Sequence, residues 1–343
     1  MTNSMIILGN GFSIGLIDEI KKKYPQKKEL QEINLNNLFE NGDKFPCPWD
    51  TNDSCFLSYK NCPNLWILGA RPDINNQKAN QLISDIVTCA NAYLRYKDEN
   101  LKKQKNLTEI GDKIYLKAYC ELVEYIKALM IYYNSLIDDT ELGEFLLEDK
   151  IWNWGEKFKR INPLENKITI VTYNYDLWLE RILKLLKIDF DKLDNNKAIT
   201  ILKPHGSIDF VSECDVSPHF QIDYNLIDPY EYKNLKIELK KDRKGLLIPP
   251  AGESMKAGNW AKSIRENAIE CAKELKASDK LIICGISYWN VDRYEIDSLL
   301  CSVSNDVRLE FINPFPPSEF NATLMTIFKD YTLFKSSTSF ELI

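Results

Sequence analysis

Five short polar clusters stand directly behind apolar runs in this chain, and each offers groups that can bind an anion, hold a hydroxyl or move a proton. The first is Gly9-Asn10-Gly11-Phe12-Ser13-Ile14-Gly15. Its glycines allow a tight turn, and free backbone N–H groups with the Ser13 hydroxyl at the positive end of a helix suit a phosphate. The Gly-x-Gly-x-x-x-Gly spacing is one residue longer than the usual dinucleotide fingerprint, and a purely structural turn accounts for it as well. The second, Thr172-Tyr173-Asn174-Tyr175-Asp176, presents an amide in Asn174 that can hold a sugar hydroxyl and a water at once. Asp176 reads equally as the cap of the helix behind it. The third, Pro204-His205-Gly206-Ser207, carries one of the chain's 2 histidines. An imidazole titrates near neutrality and suits accepting a proton from a hydroxyl or an attacking water, while Gly206 leaves room for a substrate. A structural histidine is the plainer alternative, and His219 reads as a surface residue. The fourth cluster sets Gly285, Ser287 and Asp292 in a row, for close approach, a hydroxyl contact and an acid; a strand-to-helix turn explains its glycine and serine equally well. Asn313 is the last.

The elements that must position these groups are legible around them. Met5–Leu8 reads as a buried strand leading into a helix over about Gly15 to Tyr24, stopped by Pro25. Lys167–Thr172, Ala198–Leu202, Lys280–Cys284 and Val307–Ile312 are further apolar, β-branched runs; Gly245–Ile248 is a shorter one, ending at Pro249-Pro250. Helical spacing marks Asp176 through Leu186 and Asn259–Ala277. Buried strands alternating with helices predict an α/β fold: a Rossmann-like parallel sheet with helices on both faces, whose ligands bind beyond the carboxyl ends of the strands. Every polar cluster falls at such an end, which points to one shared cleft. Residues 1–24 and 165–343 are predicted to form this domain. Between them, 25–164 begins loop-rich and then shows helical spacing over Lys117–Leu136 and Leu142–Arg160, which predicts a mostly helical inserted subdomain. Trp152, Trp154, Trp178 and Trp260 fall on helical patterns and read as core.

Composition narrows the function. The 343 residues, 44% hydrophobic, are enough to bury a large core. With 44 Lys and Arg against 50 Asp and Glu, the formal net charge of -6 lacks the basic excess that phosphate-backbone binding needs, so no direct nucleic acid contact is expected. The 9 cysteines include no Cys-x-x-Cys pair, so free thiols in a reducing cytoplasm and no metal are expected. Cys47, Cys55 and Cys62 read as loop thiols. No apolar run approaches the roughly 18 to 20 residues of a membrane span, and Met5–Leu8 is too short for a signal-peptide core. The Lys/Asn-rich stretch Asp98–Asn106 reads as a solvated loop.

In their order along the chain, these motifs resemble the sirtuin superfamily, and within it the sirtuin-like NAD-cleaving domains of bacterial antiphage defence systems. Gly9, Gly11 and Ser13 are similar to that family's first phosphate loop. Thr172-Tyr-Asn174-Tyr-Asp176 resembles its Thr-Gln-Asn-x-Asp motif, and His205-Gly206-Ser207 its catalytic His-Gly motif. Ile248-Pro-Pro250 and Gly285-Ile-Ser287 with Asp292 look like later signatures of the defence branch. Asn313 falls where the family meets the adenosine end of NAD. Two departures stand out: the paired Cys-x-x-Cys zinc module is absent, and no Pro-Asp-Phe-Arg follows the glycine loop. Both argue against protein deacylation.

The resemblance implies an NAD hydrolase that releases nicotinamide and ADP-ribose, depletes NAD in abortive infection and uses no metal. Asn174 and His205 would be catalytic. Gly9, Gly11, Phe12, Ser13, Asp176, Gly206, Ser207, Gly285, Ser287, Asp292 and Asn313 would bind NAD. Control is expected from a homo-oligomer or a separate trigger protein: an ATPase, an Argonaute-like protein or a nucleotide-sensing subunit. The alternative from another class is a non-catalytic module that senses NAD or a related nucleotide and signals to a partner.

Overall fold

The computed structural model describes residues 2–47, 50, 52, 54–101, 113–148, 152–162, 165–192, 197–213, 243–249, 259–288 and 293–336. The chain order of strands is β1 (Thr2–Leu8), β2 (Asn166–Thr172), β3 (Asp191–Lys192), β4 (Ile199–Leu202), β5 (Gly206–Glu213), β6 (Arg243–Leu247), β7 (Lys280–Cys284), β8 (Arg308–Ile312) and β9 (Tyr331–Phe334). Seven of them form one parallel sheet in the order β3-β4-β2-β1-β7-β8-β9, while β5 and β6 pair antiparallel apart from it.

The apolar runs take this form because both faces of the sheet are buried. Side chains alternate across a strand, so Ile6 and Leu8 enter one core while Met5 and Ile7 enter the other. Ile282 likewise faces the first core, and Leu281 and Ile283 the second. The first face is covered by α1 (Asn10–Lys23), α2 (Lys28–Gln31), α3 (Pro63–Leu68), α4 (Asn76–Leu101), α5 (Ile114–Ser135), α6 (Asp139–Leu147), α7 (Asn153–Lys159) and α8 (Trp178–Leu185). On the second lie α9 (Asn259–Lys273), α10 (Arg293–Leu300) and α11 (Ser318–Ile327). The architecture is Rossmann-like α/β. No helix among the described residues is long and apolar enough to cross a membrane.

From β1 the sheet extends through β2, β4 and β3 on one side and through β7, β8 and β9 on the other. The strand order therefore reverses between β1 and β7. The helices that follow these two strands, α1 and α10, go to opposite faces, the arrangement of a topological switch point.

The sequence-based boundaries need correction in several places. The described part of 25–164 contains α2 to α7, and its buried side chains belong to the same cluster as those of α1, α8 and one face of the sheet. Phe12 of α1 packs 5.4 Å from both Trp152 and Trp154. A helix over Asn76–Leu101 replaces most of the expected loop, burying Ala79, Ile83, Ile86, Val87 and Ala90 at helical spacing. The stretch Asp98–Asn106 thus begins inside α4, and its end lies outside the described residues. The single helix expected over Leu142–Arg160 is two, α6 and α7, the first opened by a capping box of Asp138 and Glu141. The helix expected from Gly15 starts at Asn10, with Gly9 as its extended N-cap, so the first polar cluster is a helical turn. β3, β5, β9, α2, α3 and α11 are additional.

Candidate functional site

The site is assembled where the chain leaves the central strands. Behind β2, Tyr173 N–H donates to the Leu8 carbonyl (3.0 Å), which carries the segment across the end of β1. Asn174 then places its Nδ2 between two acceptors, the Gly9 carbonyl (3.0 Å) and Ser13 Oγ (2.9 Å). Ser13 in turn donates to Asp176 Oδ2 (2.8 Å), and Asp176 Oδ1 accepts from Trp178 N–H (3.2 Å). Both amide hydrogens of Asn174 are therefore committed, and what it can present to a ligand is the carbonyl oxygen, an acceptor. Asp176 takes the capping role at the start of α8 and also holds Ser13, which accepts from Asn174.

Beneath this lies a buried chain of charges. Lys203, 1% exposed at the end of β4, donates to the Asp176 carbonyl and to Glu180 Oε1 (3.0 Å). Lys192 sits 3.5 Å from Glu180 and donates to Asp209. Burial pushes the Asp176 carboxyl up to about 6, although Lys203 and Ser13 pull the other way. Burial also acts on Asp209, but Lys192 and Lys203 outweigh it and hold that carboxyl below its ordinary value. An acid raised in the folded state favours folding most below its unfolded value near 4, and that contribution is lost as pH rises through about 6. Urea titrations of the wild type and Asp176→Asn should show the stability difference moving in favour of the variant between about pH 4 and pH 7. A difference independent of pH would remove Asp176 as the titrating group.

His205 stands behind β4, in a segment bound to the Asn174 segment by Ile208 N–H donating to the Tyr175 carbonyl (3.1 Å). It is 2% exposed, with the Tyr173 ring edge-on at 4.9 Å. Its Nε2 lies 3.1 Å from Glu295 Oε2 of α10, and Arg265 Nε of α9 is 3.0 Å from the same oxygen. Burial works against the charge of Glu295, but His205 and Arg265 more than offset it and hold the carboxyl below its ordinary range. Behind this trio, between α9 and α10, is a cavity of about 300 Å³ walled by Tyr173, Arg265, Ile269, Tyr294, Glu295 and Leu299.

Several expected ligand contacts are engaged elsewhere. The Gly9 and Gly11 N–H groups donate to the Cys284 and Gly285 carbonyls (2.9 and 3.1 Å), so neither is free for a phosphate. The glycines are needed for backbone contact: a Cβ on Gly11 would fall 2.6 Å from Gly285 Cα, and Gly285 itself has φ +65°. Gly285→Ala should lower stability by at least about 2 kcal/mol, from the left-handed backbone and that contact together; an unchanged urea midpoint would contradict the packing. The space beside Gly206 (φ +85°) is filled by the Leu246 carbonyl and is not left open for a substrate. Phe12 and Ser13 are buried, the first among tryptophans and the second under Asn174, so neither faces a phosphate. Ser207 is fully buried and donates to the Tyr175 carbonyl (3.4 Å). Asn313 braces its own turn, donating to the Ile286 carbonyl (3.4 Å) and accepting from Phe315 N–H (2.9 Å). Ser287 is exposed at the end of β7. Asp292, Pro250 and His219 lie outside the described residues.

Glu295, Arg265, Lys203, Glu180, Lys192 and Asp209 were not singled out in the sequence. Lys203 had a signal, a lysine at the end of a mostly apolar, β-branched strand. Glu295 and Arg265 had none, since each sits among ordinary helix charges. Among the described residues no group of three His, Cys, Asp or Glu side chains is placed to hold a metal ion. No protein-family model and no curated protein matches this chain.

Proposed function

We propose that the chain is an NAD hydrolase of the sirtuin-like kind, cleaving the nicotinamide–ribose bond to give nicotinamide and ADP-ribose. The observation that carries this reading is the meeting of the Asn174 and His205 segments at the carboxyl ends of adjacent β2 and β4, beside the β1/β7 switch point. An amide oxygen held in one orientation can accept from a ribose hydroxyl or steer a water. A neighbouring imidazole can take the proton released as that water or hydroxyl attacks. Because the Gly9 and Gly11 N–H groups are engaged, the pyrophosphate would be held by the positive end of α1 as a whole and by the exposed Ser287, not by a glycine cradle.

The near-complete burial of His205 and Asn174 (2% and 8% exposed) favours a resting chain that opens when a partner or a second copy engages it. This fits an effector of antiphage defence whose activity must be restrained. Incubation of the purified protein with NAD, alone and with the products of neighbouring genes, followed by chromatography, should yield nicotinamide and ADP-ribose. Tight NAD binding by calorimetry without product under any of these conditions would favour a sensing module.

A further inference from the structure

We infer that Glu295 is the positioning residue for His205, fixing which ring nitrogen carries the proton and which accepts one. This rests on the reading of His205 as the base. The carboxylate comes from α10, outside every sequence cluster, yet it meets His205 Nε2 at 3.1 Å in a setting where both side chains are more than nine-tenths buried. A buried carboxylate needs compensation. Arg265, at 3.0 Å from the same oxygen, supplies a permanent cation that favours the ionised carboxylate beside a neutral imidazole. An ionised carboxylate only accepts hydrogen bonds. Nε2 must therefore be the donor, and the neutral ring keeps its lone pair on Nδ1. The Tyr173 ring, edge-on at 4.9 Å, restrains the imidazole further. When the base takes a proton, Nδ1–H forms and the resulting imidazolium is stabilised by the Glu295 carboxylate, with no proton passed to Glu295. Such a carboxylate–imidazole pair sets both tautomer and orientation in a general base.

The chain contains 2 histidines, so a His219→Gln background leaves only the His205 imidazole for ¹⁵N correlation spectroscopy. At a pH where the ring is neutral, the proton is expected on Nε2; a proton on Nδ1 overturns the inference without any further variant. In Glu295→Ala the fixed tautomer should give way to a mixture, and in Glu295→Asp it should be partly restored. An unchanged spectrum in a folded Glu295→Ala protein overturns it too. In turnover assays kcat should fall about 100-fold in Glu295→Ala with KM within about threefold, and recover in part with aspartate; kcat equal to wild type counts against the role. The imidazole spectra need no turnover, so a wild-type protein inactive on NAD would count against the hydrolase reading alone.

Discussion

Replacing His205 or Asn174 with alanine is expected to slow nicotinamide release from NAD by about 10²- to 10⁴-fold, the usual contribution of one acid–base group or its partner. For His205→Ala the loss should fall on kcat, the parameter that a proton-transfer group serves. Glu295 keeps Arg265 as a counter-ion in that variant, so the fold should survive. Asn174→Ala acts in two ways. It removes the amide oxygen, and it strips a donor from both the Gly9 carbonyl and Ser13 Oγ, which should destabilise by about 1 to 3 kcal/mol. Asn174→Asp separates these effects, since a carboxylate keeps the acceptor but faces Gly9 and Ser13 with no donor. Nicotinamide release by chromatography and thermal unfolding, run in parallel, resolve the two. Full activity in both alanine variants would exclude this pair as the catalytic centre.

The second large effect is on stability. Lys203→Met should destabilise the protein by about 3 to 5 kcal/mol, the loss typical when one member of a buried ion pair is removed. Lys203 is 1% exposed and Glu180 2%. Without the lysine, Glu180 keeps only Lys192 among the described residues, at 3.5 Å and already shared with Asp209. The charge left behind, more than the lost attraction, sets the magnitude. The double variant Lys203→Met with Glu180→Leu should therefore recover much of the loss, because no uncompensated carboxylate remains at that position. Urea unfolding of the two single variants and the double measures this coupling. A Lys203→Met protein within about 0.5 kcal/mol of wild type would show that the network contributes little.

Much of the fold was legible because burial on both faces of a parallel sheet imposes a local signature. Met5–Leu8 and Leu281–Cys284 are short, wholly apolar runs, and alternation alone assigns their side chains to two cores. β9 escaped because an edge strand such as Tyr331–Phe334 is only half-buried and lacks that run. α4 escaped because its apolar positions are separated by polar residues in an insertion punctuated by prolines.

The sequence by itself determined the α/β class and the placing of Asn174 and His205 at the ends of successive predicted strands, because apolar patterning and the polar residue that ends a run are local properties of the chain. What those residues touch was decided only by the tertiary structure. Ser13 meets Asp176 across 163 positions, and His205 meets Glu295 across 90. Such contacts depend on the strand order and on which face each helix covers, and no short segment contains either. For the same reason the glycines of the first cluster could be read as a phosphate cradle until the packing of β1 against β7 put Gly11 onto Gly285. Local patterning placed the strand ends, and long-range packing chose the partners that turn them into a site.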